Sequence, residues 1–214
     1  MTEAVAAIQA GDVEALERLL AQDPSHATAR VGPRTLLHIA TDWPGGLPRV
    51  AETIGVLVAA GADVDAPFSG AAHSETPLHW AASADDVPAL DALLDAGADI
   101  DAGGGIIGGG TPLNDATAFG QWRAARRLVE RGARTSWFDA AALGLLDRLD
   151  DVPPGELDAA LWGAAHGGQR AAAELLLERG ADPAWVGWDE LTPLGAAQRS
   201  GATDVVELLS AGRS

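Results

Sequence analysis

The chain of 214 residues contains no cysteine, no lysine and no tyrosine, and only one methionine and three phenylalanines. Each absence removes a class of chemistry. Without cysteine there is no disulfide, no thiolate metal site and no thiol nucleophile. Without lysine there is no Walker-type phosphate lysine and no Schiff base, and without tyrosine no phenolic acid. The 14 basic residues are all arginine and face 31 acids, giving a formal charge of -17. A field of that sign repels nucleic-acid phosphates and anionic membranes and suits basic or neutral partners. No apolar run approaches the roughly 20 residues that span a bilayer. The segment Met1-Thr2-Glu3-Ala4-Val5 has no basic stretch ahead of an apolar one, and Asp12 and Glu14 come too early for a secretory signal. These features predict a soluble, cytoplasmic protein that contacts neither membrane nor nucleic acid.

Hydrophobic residues make up 47% of the chain, mostly Ala, Leu and Val. Such small side chains let helices approach closely, so a thin, layered core is expected. The phrase Thr76-Pro77-Leu78-His79-Trp80-Ala81-Ala82, followed one helix later by Gly97-Ala98-Asp99-Ile100-Asp101-Ala102, recurs in degenerate copies. Echoes stand at Thr35 to Ala40 with Gly61 to Ala66, at Thr111 to Asn114 with Gly132 to Arg134, and at Thr192 to Ala197. Repetition at this period signals stacked supersecondary units. The pattern resembles the ankyrin repeat, in a bacterial-type ankyrin repeat domain protein. That resemblance implies an all-α solenoid of about six helix-turn-helix units with lengthened hairpins. The expected layout is a single domain over 1-214, with an N-terminal cap at 1-31, repeats over about 32-190 and a C-terminal cap at 191-214.

Local signals explain each unit. Thr76 caps a short helix whose Pro77 sits in the first turn, where a missing N–H costs little. Asp85 and Asp86 supply the next cap, Val87, Leu90, Leu93 and Leu94 form one apolar stripe, and Gly97 ends the helix where a left-handed residue is wanted. The first full unit is longer between threonine and glycine than the next two, and its surplus falls around Asp42-Trp43-Pro44-Gly45-Gly46-Leu47-Pro48. The hairpins before Thr76 and Thr111 are also lengthened relative to the one before Thr192. Between Gly132 and Gly180 the surplus Asp139 to Asp150 reads as a shrunken helix pair, closed by Pro153-Pro154-Gly155.

The candidate chemistry is sparse. His38 and His79 occupy the Thr-Pro-Leu-His position, which the resemblance assigns a hydrogen-bonding role between adjacent loops. His26, His73 and His166 lack a partner at metal-ligand spacing, so no metal and no cofactor are expected. The glycine-rich stretch Gly103 to Gly110 lacks the preceding strand and lysine of a phosphate loop and reads as a lengthened hairpin. Ile106 and Ile107 at its centre suit a flap over something apolar.

Seven tryptophans in a chain without tyrosine are the second signal. Trp80, Trp122 and Trp162 fall at helical positions and read as core or interhelical packing. Trp43 lies in the inserted loop, and Trp137, Trp185 and Trp188 at hairpin positions. In ankyrin proteins the hairpins and first helices line the concave face. The resemblance therefore places Trp43, Trp137, Trp185 and Trp188, with Phe138, His73 and Glu75, near a common groove, with packing of each hairpin on its neighbour as the alternative. Asp115, beside Thr111, Thr117 and Phe119, departs from the repeat pattern. It is either hydrogen-bonded locally or aimed into the groove, where with His73 it would make an acid and a base. Two functional readings follow. One is a non-enzymatic module binding a protein or peptide, of basic character, in its groove. The other is a binder of a small apolar or cationic ligand, or an unusual enzyme, with a pocket roofed by the lengthened loops.

Overall fold

A computed structural model describes residues 1–70 and 73–211. Ala71 and Ala72, inside the lengthened hairpin before Thr76, and residues 212–214 of the expected C-terminal cap lie outside the described residues. Contacts divide the chain into two compact units, Met1–Ala133 and Arg134–Ser214.

The first unit holds four helix pairs: α1 (Thr2–Ala10) with α2 (Val13–Gln22), α3 (Leu36–Ala40) with α4 (Val50–Ala59), α5 (Pro77–Ser83) with α6 (Val87–Asp95), and α7 (Pro112–Ala118) with α8 (Trp122–Glu130). A two-residue hairpin ladder, β1 (Arg30–Val31) against β2 (Arg34–Thr35), precedes α3. First helices pack on first helices (α1 on α3, α3 on α5, α5 on α7) and second on second (α2 on α4, α4 on α6, α6 on α8). Each pair leaves apolar surface that only its neighbour covers, which is why the units stack. Leu37, Leu78 and Leu113 of the first row and Leu57, Leu90, Leu93 and Leu128 of the second are fully buried.

The ends of the helices follow the expected signals. Asp86 caps α6 by accepting from Ala89 N at 3.1 Å, and Gly97 after it has φ 94°. Thr35, Thr76 and Thr111 each cap a first helix in a reciprocal box whose fourth residue is His38, His79 or Asn114. The histidines also bridge units. Thr35 N–H donates to His38 Nδ1 at 3.3 Å, which leaves the ring proton on Nε2 to be donated to the Glu75 carbonyl at 3.1 Å. His79 repeats the arrangement, with Thr76 N–H at 3.1 Å and the Gly110 carbonyl at 3.2 Å. Arg127 of α8 and Arg131 just after it both reach Asp91 of α6, at 2.8 and 2.6 Å.

The second unit contains α9 (Trp137–Leu143), α10 (Leu157–His166) with α11 (Arg170–Glu178), and α12 (Pro193–Ser200) with α13 (Thr203–Ala211). Helix α10 packs between α9 and α12, and α11 against α13. The shrunken pair consists of α9 and one 3₁₀ turn, Leu146–Arg148. Its helix starts earlier than expected, because Ser136 caps it and Asp139 Oδ2 returns a bond to Ser136 N at 2.9 Å. Trp137 therefore stands on a helix, with Phe138 after it, and not on a hairpin as the sequence suggested.

Candidate functional site

The nine sequence-selected site residues divide between the two units. Trp43, His73, Glu75, Asp115 and Phe119 belong to the first, and Trp137, Phe138, Trp185 and Trp188 to the second.

In the first unit the inserted loop between α3 and α4 is fastened at both ends. Arg34 binds Asp42 at 2.8 Å, and Gly46 N–H donates to Asp86 Oδ2 at 2.6 Å. Trp43 projects from this loop with 76% of its surface exposed. The glycine-rich segment before α7 is closed by its own backbone bonds, Gly104 N to the Gly109 carbonyl at 3.0 Å and Gly105 N to that of Gly110 at 2.9 Å. At Gly104 and Gly105 the lack of a side chain has a local cause. A Cβ on Gly104 would fall 2.4 Å from Ser74 Oγ, and one on Gly105 2.7 Å from Asp115 Oδ2. Only bare backbone lets the segment lie this close to its neighbours.

These loops meet at Glu75. Its carbonyl accepts from Phe68 N at 2.7 Å and from His38. Its nearly buried carboxylate accepts the Trp80 indole N–H at 3.1 Å. His73 Nδ1 lies 2.8 Å from the same oxygen, off a hydrogen-bonding direction, while its ring stacks on Phe68 at 4.6 Å. Asp115 is fully buried beside Glu75 and accepts from Ile107 N at 3.3 Å. Burial, reinforced by the Glu75 charge against the bonds from Ile107 and Ile106, pushes its carboxyl up to about 7. Glu75 is thus the neighbour of both His73 and Asp115.

Beside this junction opens a pocket of about 240 Å³ lined by Asp42, Trp43, Glu75, Trp80, Ser83, Ala84, Ile106 and Phe119. Trp43, Ile106 and Phe119 are all exposed large apolar side chains, and they converge here. Ser83 Oγ is buried with no hydrogen-bond partner among the described residues. Trp80, which the sequence placed in core or interhelical packing, is partly buried against His38 and Phe68 and also forms a wall. Its position next to His79 at the end of the repeat phrase is the signal that could have found it. A wider furrow of about 590 Å³ lies between α4 and α6, but it is lined by Ala, Gly, Val and Pro, with Asp91 and Asp95 engaged by arginines.

In the second unit Trp162 of α10 is the hub. It is 3% exposed, and its indole N–H donates to the Leu191 carbonyl at 3.0 Å. Phe138 and Trp188 meet it at 6.1 and 5.1 Å, and Trp185 meets Trp188 at 5.8 Å. Arg199 lies over the Trp162 ring at 5.6 Å and pairs with Asp189. Trp137, Phe138 and Trp185 are partly buried against the core, whereas Trp188 and Val186 remain exposed. No cluster among the described residues could hold a metal ion, and no helix among them is long and apolar enough to cross a membrane.

The ankyrin repeat model matches residues 73–104. Across the chain the structure is similar to the ankyrin repeat domain of human ASB11, at 20% identity over 96% of both chains with a TM-score of 0.63. The chain has the ankyrin-repeat fold. It is also similar to the ankyrin repeat domain of Bcl-3, a member of the IkappaB protein family, at 23% identity over 100% of this chain and 87% of that one, with a TM-score of 0.56. A search of curated proteins returns no match. Ankyrin repeat domains are in general protein–protein interaction modules, and in the ankyrin frame the pocket lies on the first helices α5 and α7 and the loops around them.

Proposed function

We propose that this ankyrin-repeat chain is a non-enzymatic interaction module that binds a protein or peptide of basic character on the concave face built by the hairpins and first helices. One observation carries the reading: Trp43, Ile106 and Phe119, large apolar groups left in solvent, line one pocket together with the Glu75 carboxylate. Aromatic anchors gathered in a pocket supply most of the energy of a typical interface. The net charge of -17 favours basic partners over acidic ones.

The competing small-molecule or enzyme reading rests on Asp115 and His73 and draws no support from their geometry. Asp115 is closed off by the Gly105 backbone and the Ile107 N–H, and His73 is stacked on Phe68.

Selection of a randomised peptide library against the chain, with counter-selection on the Trp43→Ala variant, tests the proposal. The expected result is enrichment of basic sequences carrying apolar residues, each losing about 1–4 kcal/mol of binding to the variant. Enrichment of no peptide above the counter-selected background would contradict it.

A further inference from the structure

Resting on the interaction reading above, we propose that the pocket between Trp43, Glu75 and Phe119 receives the side-chain ammonium of a lysine on the partner. At about 240 Å³ the cavity is smaller than the sites that enclose drug-sized ligands and matches the end of one long side chain. Its walls are the aromatic groups Trp43, Trp80 and Phe119, with Ile106 beside them. Such walls accept the methylenes of a lysine stem, and ring faces attract a cation.

The polar groups select the head. Asp42 is already neutralised by the guanidinium of Arg34, whereas Glu75 faces no arginine among the described residues and has only the His73 ring at 2.8 Å and the Trp80 N–H on one oxygen, so the counter-charge is Glu75. Glu75 Oε2 takes the Trp80 N–H, which removes the free pair of carboxylate oxygens that a guanidinium fork requires. A compact ammonium with rotatable donors needs only separate acceptors, and Glu75 and the unpartnered Ser83 Oγ provide two. A quaternary ammonium has no N–H to give either of them. The chain has no lysine of its own, so the occupant comes from another molecule.

The test uses the full-length protein and a capped pentapeptide with one lysine between glycines, followed by NMR of the Trp43 and Trp80 indole N–H resonances. Controls replace the lysine with norleucine, arginine or trimethyllysine. The lysine peptide should shift both resonances saturably, the norleucine peptide should bind about tenfold more weakly or worse, and Trp43→Ala and Ser83→Ala should each weaken the lysine peptide severalfold. Trp43 stands on an exposed loop, so that variant leaves the fold intact even if Glu75→Gln disturbs its own loop. Equal binding of the norleucine peptide, tighter binding of arginine or trimethyllysine, or shifts confined to other tryptophans would each overturn the assignment. Library-selected peptides that lack lysine yet still require Trp43 would overturn the lysine pocket while leaving the interaction module standing.

Discussion

Glu75 and Asp115 show how burial, not residue type, sets the behaviour of a carboxyl. Asp115 is fully buried beside a like-charged neighbour, so its proton is held up to about 7, against an ordinary value of 3.8. The folded state therefore binds a proton that the unfolded state releases, and stability falls as pH rises from about 4 to 7, by at most about 1.4 kcal/mol per pH unit, and levels off above 7. Asp115→Asn removes this dependence. Urea unfolding at several pH values should show the variant gaining on the parent up to pH 7, and a constant difference between them would contradict the buried-proton account. His38 runs the other way. Burial lowers its ring to about 4, and His79 is lowered for the same reason. Their neutral rings stabilise the folded state fully above pH 6.5, and that contribution is lost as pH falls towards 4. Under His38→Asn, with the amide accepting the Thr35 bonds as Asn114 does at Thr111, the acid loss over this window should shrink.

Among the elements, the apolar stripes carry the stability and the loops carry the proposed binding pocket. Leu93 of α6 is fully buried, so Leu93→Ala should cost about 2–5 kcal/mol. Trp43→Ala, on a solvent-facing loop, should cost within about 0.5 kcal/mol. Thermal unfolding of the two variants compares them directly, and similar losses would mean that the inserted loop belongs to the core. The helices were legible in the sequence because caps and glycines are local signals, as the agreement at Thr76, Asp86 and Gly97 shows. The start of α9 was missed because Ser136 and Asp139 replace the threonine and histidine of the repeat phrase. The pocket was half legible. Trp43, Glu75 and Phe119 were singled out, while Ser83 was not and Trp80 was assigned to core or interhelical packing only. Helical spacing alone does not tell which flank of a short helix its neighbour leaves uncovered. That Glu75 stands beside both Asp115 and His73 depends on loop closure by the glycine segment, a long-range event that no local pattern records.

For the molecule as a whole, the charge of -17 and the absence of a metal-capable cluster among the described residues give two expectations. A chelator should leave the unfolding temperature unchanged. Binding of a basic peptide should weaken as salt rises, because screening acts on charges separated by about a Debye length of 8–10 Å. Indifference to salt would assign the binding to apolar contact alone. The central claim, an interaction module anchored at the Trp43 pocket and not a catalytic site at Asp115, is tested most directly by calorimetric titration of a library-selected peptide into two variants. Trp43→Ala should weaken binding by about 1–4 kcal/mol while Asp115→Asn changes it by less than about 0.5 kcal/mol. Abolition of binding by Asp115→Asn, with Trp43→Ala equal to the parent, would contradict the account.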